Sequence, residues 1–475
     1  MPKATDALEE AFRRALAYRE TLADRPVAPA RGYREMCEAF TEPLPEVGTD
    51  GRAVIRELAE TGDPGLMQMG HPRFFGWVLG GSHPVGVAAD WLAAAWGQNT
   101  GYHSPTPTTA AVEAVAAGWL LDILDLPREA SVGFVTGATV GNMVALAAAR
   151  GQTLRDHGWD PDADGLFGAP EIHVFIGADA HASVFSALQY LGLGHNRVIR
   201  IATDGQGRMD ARTLAGEAAA RTGPKIVIAQ AGQINTGAFD PFPALVEIAG
   251  ENGAWLHVDA AFGLWARASE ALRPLTAGIE DAQSWATDGH KWLQTPFDAG
   301  YAIVRDPEAH MRAMTTWSTY LPVFQSGDRV PSALVPELSR RARGLPTWAL
   351  LKALGRSGVR EMVERHCAAA RRIAERLAER DDVRVLNDVV LNQVIVAFGA
   401  EDAPLAERDA WTQAVIDVAV ASGRLFVGGA RWRDAWVMRI SVISGGAAPE
   451  DADLAADAIL AAWDAVRQGP APGAP

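Results

Sequence analysis

Between residues 110 and 305 the sequence alternates short apolar or β-branched runs, bounded by turn residues, with helical patterns. The candidate strands are VGFVTG, HVFIG, RVIRIA, KIVIAQAG, AWLHVDAA, SWATDGH and AGYAIVRD. Strands that alternate with helices are typical of a mostly parallel sheet with helices on its faces. The pattern therefore predicts an α/β fold, in which ligands bind beyond the carboxyl ends of the strands.

The segments on either side of this region have different patterns. Residues 1–65 have helical periodicity around the turn RPVAPARGY, which predicts an N-terminal helical arm for dimerisation. Residues 66–345 are then the large domain, and residues 346–466, with the strand-like LNQVIVAF and WVMRISVI, a smaller C-terminal α+β domain. Residues 467–475 are rich in Pro and Gly and predict a disordered tail.

Charge and composition narrow the class of partner. The formal net charge of -15 disfavours binding to nucleic acid or anionic lipid. The apolar stretch VGVAADWLAAAW is too short to span a membrane, and MPKATDALEEAFRRAL lacks the apolar core of an export signal. Two cysteines, Cys37 and Cys367, exclude a disulfide framework and favour a reducing cytoplasm. We therefore expect a cytoplasmic protein that binds a small molecule.

The segment VGFVTGATVGNMVALAAAR passes from a strand through a glycine turn into a helix. The first backbone N–H groups of that helix, at Ala138 and Thr139, would point outward and form an anion site. The segment lacks the lysine of a P-loop and the spacing of the dinucleotide fingerprint, so it indicates a phosphate without indicating ATP or NAD. A simple packing turn is the alternative.

Asp259 comes at the end of the strand AWLHVD, on the same face as His257. A buried charge at that position requires a partner. One possible partner is a metal held by His257 and Asp259, although no third ligand has suitable spacing. The other is a cationic heterocycle.

The chain has four lysines, Lys3, Lys225, Lys291 and Lys352. Lys291 follows a strand and is crowded by polar and aromatic neighbours, surroundings in which a lysine can lose its proton and become a nucleophile. The other three lysines fit surface positions better, which singles out Lys291.

His181, in ADAHASV, stands where a strand has ended and a helix begins, so its ring can lie over the same site. A histidine that only starts a helix is the alternative.

These motifs, in this order, resemble the group II pyridoxal-phosphate (PLP) dependent decarboxylases of fold type I, which include aromatic amino-acid and glutamate decarboxylases. The most specific pair is HVDAA followed about thirty residues later by HKWL, accompanied by TGATVGN, DAHASV and GQINTGAFDP, across roughly residues 65–310. The resemblance implies decarboxylation of an L-amino acid through a quinonoid intermediate. It also implies a homodimer with its active sites at the interface.

Position by position, the resemblance makes Lys291 the Schiff-base lysine, Asp259 the partner of the pyridine nitrogen and His181 the ring stacked on the cofactor. The implied cofactor-binding residues are Ala138, Thr139, His181, Asn235, Asp259, His290 and Lys291. Asp288 stands where the family often has Asn, and a carboxylate there would face an anion, so we expect no direct contact between Asp288 and the phosphate.

The resemblance also implies that a tyrosine on a mobile loop protonates the product. The matching segment, residues 318–344, has Tyr320 at its start and no later tyrosine. Three other enzyme activities therefore stay open: an oxygen-using decarboxylation–deamination to an aldehyde, another carbon–carbon lyase reaction, or an aminotransferase. A PLP-binding regulator without turnover is the non-enzyme alternative.

The sequence indicates the residues that would contact the substrate less clearly than those that would bind the cofactor. Trp77, in HPRFFGWVLGG, and Tyr102, in NTGYHSPTPTTAAVE, are candidate walls of the substrate pocket, although aromatic residues there fit a core equally well. Arg439, in WVMRIS, is placed like the arginines of fold type I enzymes that contact the substrate carboxylate. A salt bridge at a strand end is the alternative for Arg439.

Overall fold

The computed structural model describes residues 5–315 and 328–469. The chain divides into two compact units, each made of separated segments. One contains Gly80–Ala370 and Asn387–Val394, and the other contains Met1–Leu79, Arg371–Leu386 and Ile395–Pro475. Within the described ranges, no helix is long and apolar enough to cross a membrane.

The helices are α1 (Asp6–Thr21), α2 (Tyr33–Phe40), α3 (Gly51–Gly62), α4 (Pro84–Trp96), α5 (Pro107–Ile123), α6 (Ala138–Arg155), α7 (Pro161–Asp164), α8 (Ala182–Tyr190), α9 (Ala211–Ala219), α10 (Phe242–Glu251), α11 (Pro307–Met314), α12 (Gly344–Ala378), α13 (Leu405–Ala421) and α14 (Pro449–Gln468). The strands are β1 (Ser131–Val135), β2 (His173–Gly177), β3 (Ile199–Ile201), β4 (Lys225–Gln230), β5 (Ala254–Asp259), β6 (Ser284–Asp288), β7 (Gly300–Val304), β8 (Val383–Val385), β9 (Gln393–Phe398), β10 (Gly428–Trp432) and β11 (Ala435–Ser441).

The larger unit is built on a seven-stranded sheet in the order β1-β7-β6-β5-β4-β2-β3. Neighbouring strands from β3 to β6 are parallel, whereas β7 is antiparallel to both β6 and β1. Each of the seven predicted strand segments is found in this sheet. The α/β fold with a mostly parallel seven-stranded sheet is therefore confirmed.

Burial on both faces explains why strands such as β1 (SVGFV) and β7 (GYAIV) lack an alternation of polar and apolar residues. Every residue of β1, β4, β6 and β7 is buried. Strands in a sheet that is covered on both sides have continuous apolar sequences instead of alternating ones. The ends of these strands are therefore the first places where polar side chains can reach solvent or a ligand.

Helix α6 follows β1 directly and lies close against the sheet. A side chain at Gly141 would meet the Cβ of Ala286 at 3.2 Å and the backbone oxygen of Tyr301 at 3.3 Å. Glycine and the alanines of ALAAAR let the helix approach β6 and β7 this closely. The N-terminus of α6 is consequently fixed at the carboxyl edge of the sheet.

The second unit contains helices α1 to α3 and most of a four-stranded sheet in the order β10-β11-β9-β8. The predicted strands LNQVIVAF and WVMRISVI are β9 and β11. Helix α13 contacts β11 and α14, and α1 contacts α3. Of the predicted disordered tail, residues 470–475 lie outside the described residues, and α14 continues to Gln468.

Candidate active site

A pocket of about 320 Å³ opens beyond the carboxyl ends of β1, β2, β4, β5 and β6. Its wall includes six of the seven residues predicted to bind a cofactor, namely Ala138, Thr139, His181, Asp259, His290 and Lys291. These residues come from four separate segments of the sequence. The larger unit therefore brings them together at the edge where parallel sheets bind ligands.

The first turn of α6 forms one side of the pocket. The backbone N–H of Ala138 donates a hydrogen bond of 2.6 Å to Oδ1 of Asp288. A side chain at Gly300 of β7 would lie 2.5 Å from Cα of Gly137, so the absence of one lets the turn after β1 cross β7 and reach β6. The Ala138 amide, expected to face a ligand, is thus already bonded to a carboxylate.

Lys291 lies in a five-residue π-helical turn, Gly289–Leu293, directly after β6. Its side chain is 14% exposed, and its Nζ lies 3.1 Å from Oδ2 of Asp288. Lys291 also lines the pocket, so its amine is held at the wall by an ion pair.

The other lysines differ from Lys291 in position. Lys352 is exposed on α12, as expected, and Lys3 lies outside the described residues. The expectation that Lys225 is a surface residue is wrong: it begins the interior strand β4, is 6% exposed, and directs Nζ to the backbone oxygen of Asn252 at 3.4 Å. Lys225 does not line the pocket, so Lys291 is the one lysine in its described wall.

Asp259 ends β5 and is 5% exposed. Its Oδ1 is buried and has no hydrogen-bond partner among the described residues. Burial raises the pKa of Asp259, and the charges of His181 and Lys291 oppose that rise. A buried carboxylate oxygen without a partner, at the wall of a pocket, fits a ligand that brings a cationic N–H.

His257 lies behind the pocket, in the interior of the sheet. Its Nδ1 is 2.9 Å from Oγ of Ser284, and its Nε2 is 2.9 Å from Oδ1 of Asn142 on α6. Burial lowers the pKa of His257 to about 3, so the ring is neutral. Both ring nitrogens are therefore engaged within the core, and no group of three potential metal-ligating side chains occurs in the described parts of the chain.

Two further imidazoles line the pocket. His181 precedes α8, and its Nδ1 accepts a hydrogen bond of 3.2 Å from the backbone N–H of Ser183. His290 accepts a bond of 3.3 Å from the N–H of Ala299 at Nδ1, and its Nε2 lies 3.6 Å from Oδ1 of Asp288. Burial lowers the pKa of His290, which favours the neutral ring.

Several predicted residues lie outside the pocket wall. Asn235 is buried beside the wall residue Ile234, and its Oδ1 has no hydrogen-bond partner in the described structure. Tyr102 belongs to the same unit but does not line the pocket. Tyr320 lies outside the described residues.

Trp77 and Arg439 belong to the other unit. The ring of Trp77 lies 5.0 Å from that of Phe426, and the side chain is 47% exposed. Arg439 pairs with Gly428 across β10 and β11, and burial lowers its pKa. The substrate roles of Trp77, Tyr102 and Arg439 stay predictions.

Sequence reasoning missed two features of the wall. Ser183 lines the pocket and places its Oγ 2.8 Å from Nδ1 of His181. Asp288 bonds both the first amide of α6 and the amine of Lys291. The spacing of Asp288, three residues before Lys291 at a strand end, was the available signal for this second feature.

The described wall fits PLP. The amine of Lys291 could bond to the aldehyde of PLP, and the oxygen of Asp259 that has no partner among the described residues could accept from the protonated ring nitrogen. The amides in the first turn of α6 could donate to the phosphate. The imidazole of His181 lines the same pocket and suits the face of the ring.

Comparisons with known proteins agree with this fit. The family model described as the pyridoxal-dependent decarboxylase conserved domain matches residues 34–399. An aromatic-L-amino-acid decarboxylase of Bacillus atrophaeus is 28% identical over 402 residues, which cover 82% of this chain and 80% of that protein. An L-2,4-diaminobutyrate decarboxylase of Rhizobium meliloti (strain 1021) is 30% identical over 381 residues, with coverage of 76% and 72%.

Among solved structures, that of Oryza sativa TDC with PLP and tryptamine superposes with a TM-score of 0.90. It covers 98% of this chain and 99% of that one at 22% sequence identity. At this identity the likeness concerns the fold alone.

Proposed function

The chain belongs to the pyridoxal-dependent decarboxylase family, whose members are PLP-dependent carboxy-lyases, and we propose that it decarboxylates an L-amino acid with Lys291, Asp259 and His181 as catalytic residues. The observation that carries the proposal is the meeting of Lys291 and Asp259 with the first turn of α6 around one pocket.

PLP, when bound, supplies an electron sink for the pair that stays on the substrate carbon as carbon dioxide leaves. The amine of Lys291 would hold the cofactor covalently just beyond the carboxyl end of β6. The carboxylate of Asp259 would keep a proton on the pyridine nitrogen, because a cation beside Asp259 offsets the cost of burying its charge. The ring of His181 would cover one face of the cofactor and exclude water from it.

Phosphate binding is assigned to the first turn of α6. The amides of Ala138 and Thr139 have no acceptor within the helix and carry its positive partial charge. His290, whose Cε1 would lie 3.0 Å from a side chain at Gly137, would contribute beside this turn, and burial lowers its pKa and so favours the neutral ring. Asn235, whose buried Oδ1 is unpartnered among the described residues, would support the same wall from the turn after β4.

The identity of the amino acid is left open by the relatives, since one is named for aromatic and another for diaminobutyrate substrates. Trp77 and Tyr102 are proposed to contact the substrate side chain, and Arg439 its carboxylate. A panel of L-amino acids incubated with the PLP-loaded protein tests the proposal through release of carbon dioxide. Simple decarboxylation yields one amine and one carbon dioxide for each amino acid consumed.

An oxygen-using reaction is the second candidate, because Tyr320 is the single tyrosine of the segment 318–344 that matches the family's proton-donating loop. That reaction consumes one oxygen and one water and yields aldehyde, carbon dioxide, ammonia and hydrogen peroxide. Incubation under air and under nitrogen separates the two reactions. Equal amounts of amine in both supports simple decarboxylation, and aldehyde with peroxide under air alone supports the oxidative reaction.

The same panel tests the remaining alternatives. Conversion of the amino acid to its keto acid without carbon dioxide would contradict decarboxylation and support an aminotransferase. Binding of PLP with no turnover of any amino acid would support a regulator.

Assembly and location are part of the proposal. We propose a cytoplasmic homodimer, on the grounds of the helical N-terminal segment and the family's usual arrangement. Light scattering of the active protein tests the dimer, and an active monomer would contradict it.

A further inference from the structure

Asp288 is a buried carboxylate in the pocket wall to which the proposed reaction gives no role. It is 3% exposed at the end of β6. Its Oδ1 lies 2.6 Å from the amide nitrogen of Ala138, and its Oδ2 lies 3.1 Å from Nζ of Lys291. One carboxylate therefore holds two groups that the proposed function assigns to the phosphate and the aldehyde of PLP.

The donors available to a phosphate are limited. The amides of Ala138, Thr139 and Val140 stand in the first turn of α6, and all three residues line the pocket. The next amide, of Gly141, is already bonded to the backbone oxygen of Gly137 at 2.8 Å. With Ala138 bonded to Asp288, two of the three first-turn amides are left for a phosphate.

The charges facing Asp288 do not favour an additional anion. Lys291 is the one lysine of the described wall, and no arginine lines it. Asp259 is a second carboxylate, and the charge of Asp288 helps to raise its pKa. Burial lowers the pKa of His290, which lies 3.6 Å away, and raises that of the Tyr301 phenol, so the neutral form of each is favoured. A phosphate ester with a charge of about -1.5 to -2 thus meets two carboxylates, the ammonium group of Lys291 and the imidazole of His181, whose charge lowers the pKa of Asp259.

We propose that Asp288 is an internal competitor of the cofactor phosphate, which holds the Ala138 amide and Lys291 in the cofactor-free chain and weakens PLP binding through its charge. The inference rests on the placement of the phosphate at the first turn of α6 in the proposed function. It assigns to Asp288 a role in setting how tightly the cofactor is retained.

The test compares PLP affinities of the cofactor-free protein and of Asp288→Asn, measured by quenching of tryptophan fluorescence. The asparagine oxygen can still accept from Ala138, so this variant removes the charge and keeps the hydrogen bond. We expect roughly tenfold tighter PLP binding, since removing a like charge a few ångströms away favours the anion by at least one power of ten.

A matched control is Asp306→Asn. Asp306 also accepts hydrogen bonds from the first turn of a helix, with Oδ1 2.8 Å from the amide of Glu308 and 3.3 Å from that of Ala309 at α11. Asp306 does not line the pocket, so its variant should bind PLP as the wild type does. Asp288→Ser, which also lacks the charge, serves as the second variant if Asp288→Asn has an altered circular dichroism spectrum.

Two analogues separate the roles of the phosphate and of Lys291. Pyridoxal lacks the phosphate, and 4′-deoxypyridoxine 5′-phosphate lacks the aldehyde. We expect Asp288→Asn to bind PLP and 4′-deoxypyridoxine 5′-phosphate more tightly than the wild type does. We expect the two proteins to bind pyridoxal with the same affinity. An equal gain for pyridoxal would overturn the inference, because Asp288 would then act through Lys291.

The outcomes also distinguish the inference from the proposed function. If the wild type prefers PLP to pyridoxal but Asp288→Asn binds PLP no more tightly, the inference fails and the placement of the phosphate stands. A wild type that binds PLP and pyridoxal equally would overturn both.

Discussion

Nε2 of His257 lies 2.9 Å from Oδ1 of Asn142, a bond that ties strand β5 to helix α6 two residues before Asp259. At the other side of the ring, Oγ of Ser284 accepts a bond of 2.8 Å from Nε1 of Trp255 and lies 2.9 Å from Nδ1 of His257. Because Oδ1 of Asn142 can only accept, Nε2 of the neutral ring carries the proton, and Nδ1 accepts a hydrogen bond from the hydroxyl of Ser284. The side chain of Asn142 in turn lowers the pKa of Asp259 against the effect of burial.

The proposed role of Asp259 depends on its negative charge, which would keep a proton on the pyridine nitrogen, and asparagine has nearly the same shape without that charge. Asp259→Asn should lower kcat by about 10²- to 10³-fold, the usual cost of losing one preorganised electrostatic group. The cofactor should still be reducible onto Lys291 in this variant, since the amine and the amides of α6 are unchanged. Steady-state rates and borohydride labelling check both parts, and a variant with wild-type kcat would contradict the role of Asp259.

Stability should fall in acid because of two buried histidines. Burial lowers the pKa of His257 and of His310 from 6.5 to about 3. Between these values the unfolded chain binds protons that the folded chain does not, so stability falls as the pH drops from about 6.5 towards 3, by about 1.4 kcal/mol per pH unit for each ring.

The control for this pH dependence is a comparison of variants, because Asp240, whose pKa burial raises to about 7, acts in the opposite sense. His310→Gln should show a smaller loss of thermal midpoint between pH 7 and pH 5 than the wild type. Equal losses in the two proteins would show that His310 does not contribute.

We expect the buried ion pair of Glu113 and Arg340 to contribute to the stability of the larger unit. Both oxygens of Glu113 lie 2.7 Å from Nη2 of Arg340, and the two side chains are 0% and 1% exposed. Glu113→Ala leaves a buried guanidinium without its partner and should cost about 3–5 kcal/mol, measured by urea denaturation. The exposed pair of Glu171 and Arg197 provides the control, since Glu171→Ala should leave the urea midpoint unchanged. Equal losses of stability in Glu113→Ala and Glu171→Ala would contradict the special importance of the buried pair.

The fold was largely predictable because its signals are local. Most strands of the larger sheet contain a short apolar run and are followed by turn residues, and parallel strands bring the residues after them to one edge. This geometry is why the sequence alone predicts that Lys291, Asp259 and His181 meet at one pocket.

Features that depend on distant packing were not predictable. The bond from Ala138 to Asp288 exists because Gly137 and Gly300 let one turn cross a neighbouring strand, and no sequence pattern indicates that approach. The sequence predicts that Lys225 lies just before a strand and at the surface, whereas it is the first residue of the interior strand β4 and is buried. One of the two compact units joins N-terminal and C-terminal segments of the chain, an arrangement that no local sequence pattern indicates.

The most direct test is to reduce the PLP-loaded protein with borohydride and map the labelled peptide. We predict a pyridoxyl group on Lys291, its loss in Lys291→Arg, and unchanged labelling in the matched variant Lys225→Arg. A label on Lys3, Lys225 or Lys352, or no label on a protein that retains PLP, would contradict the account.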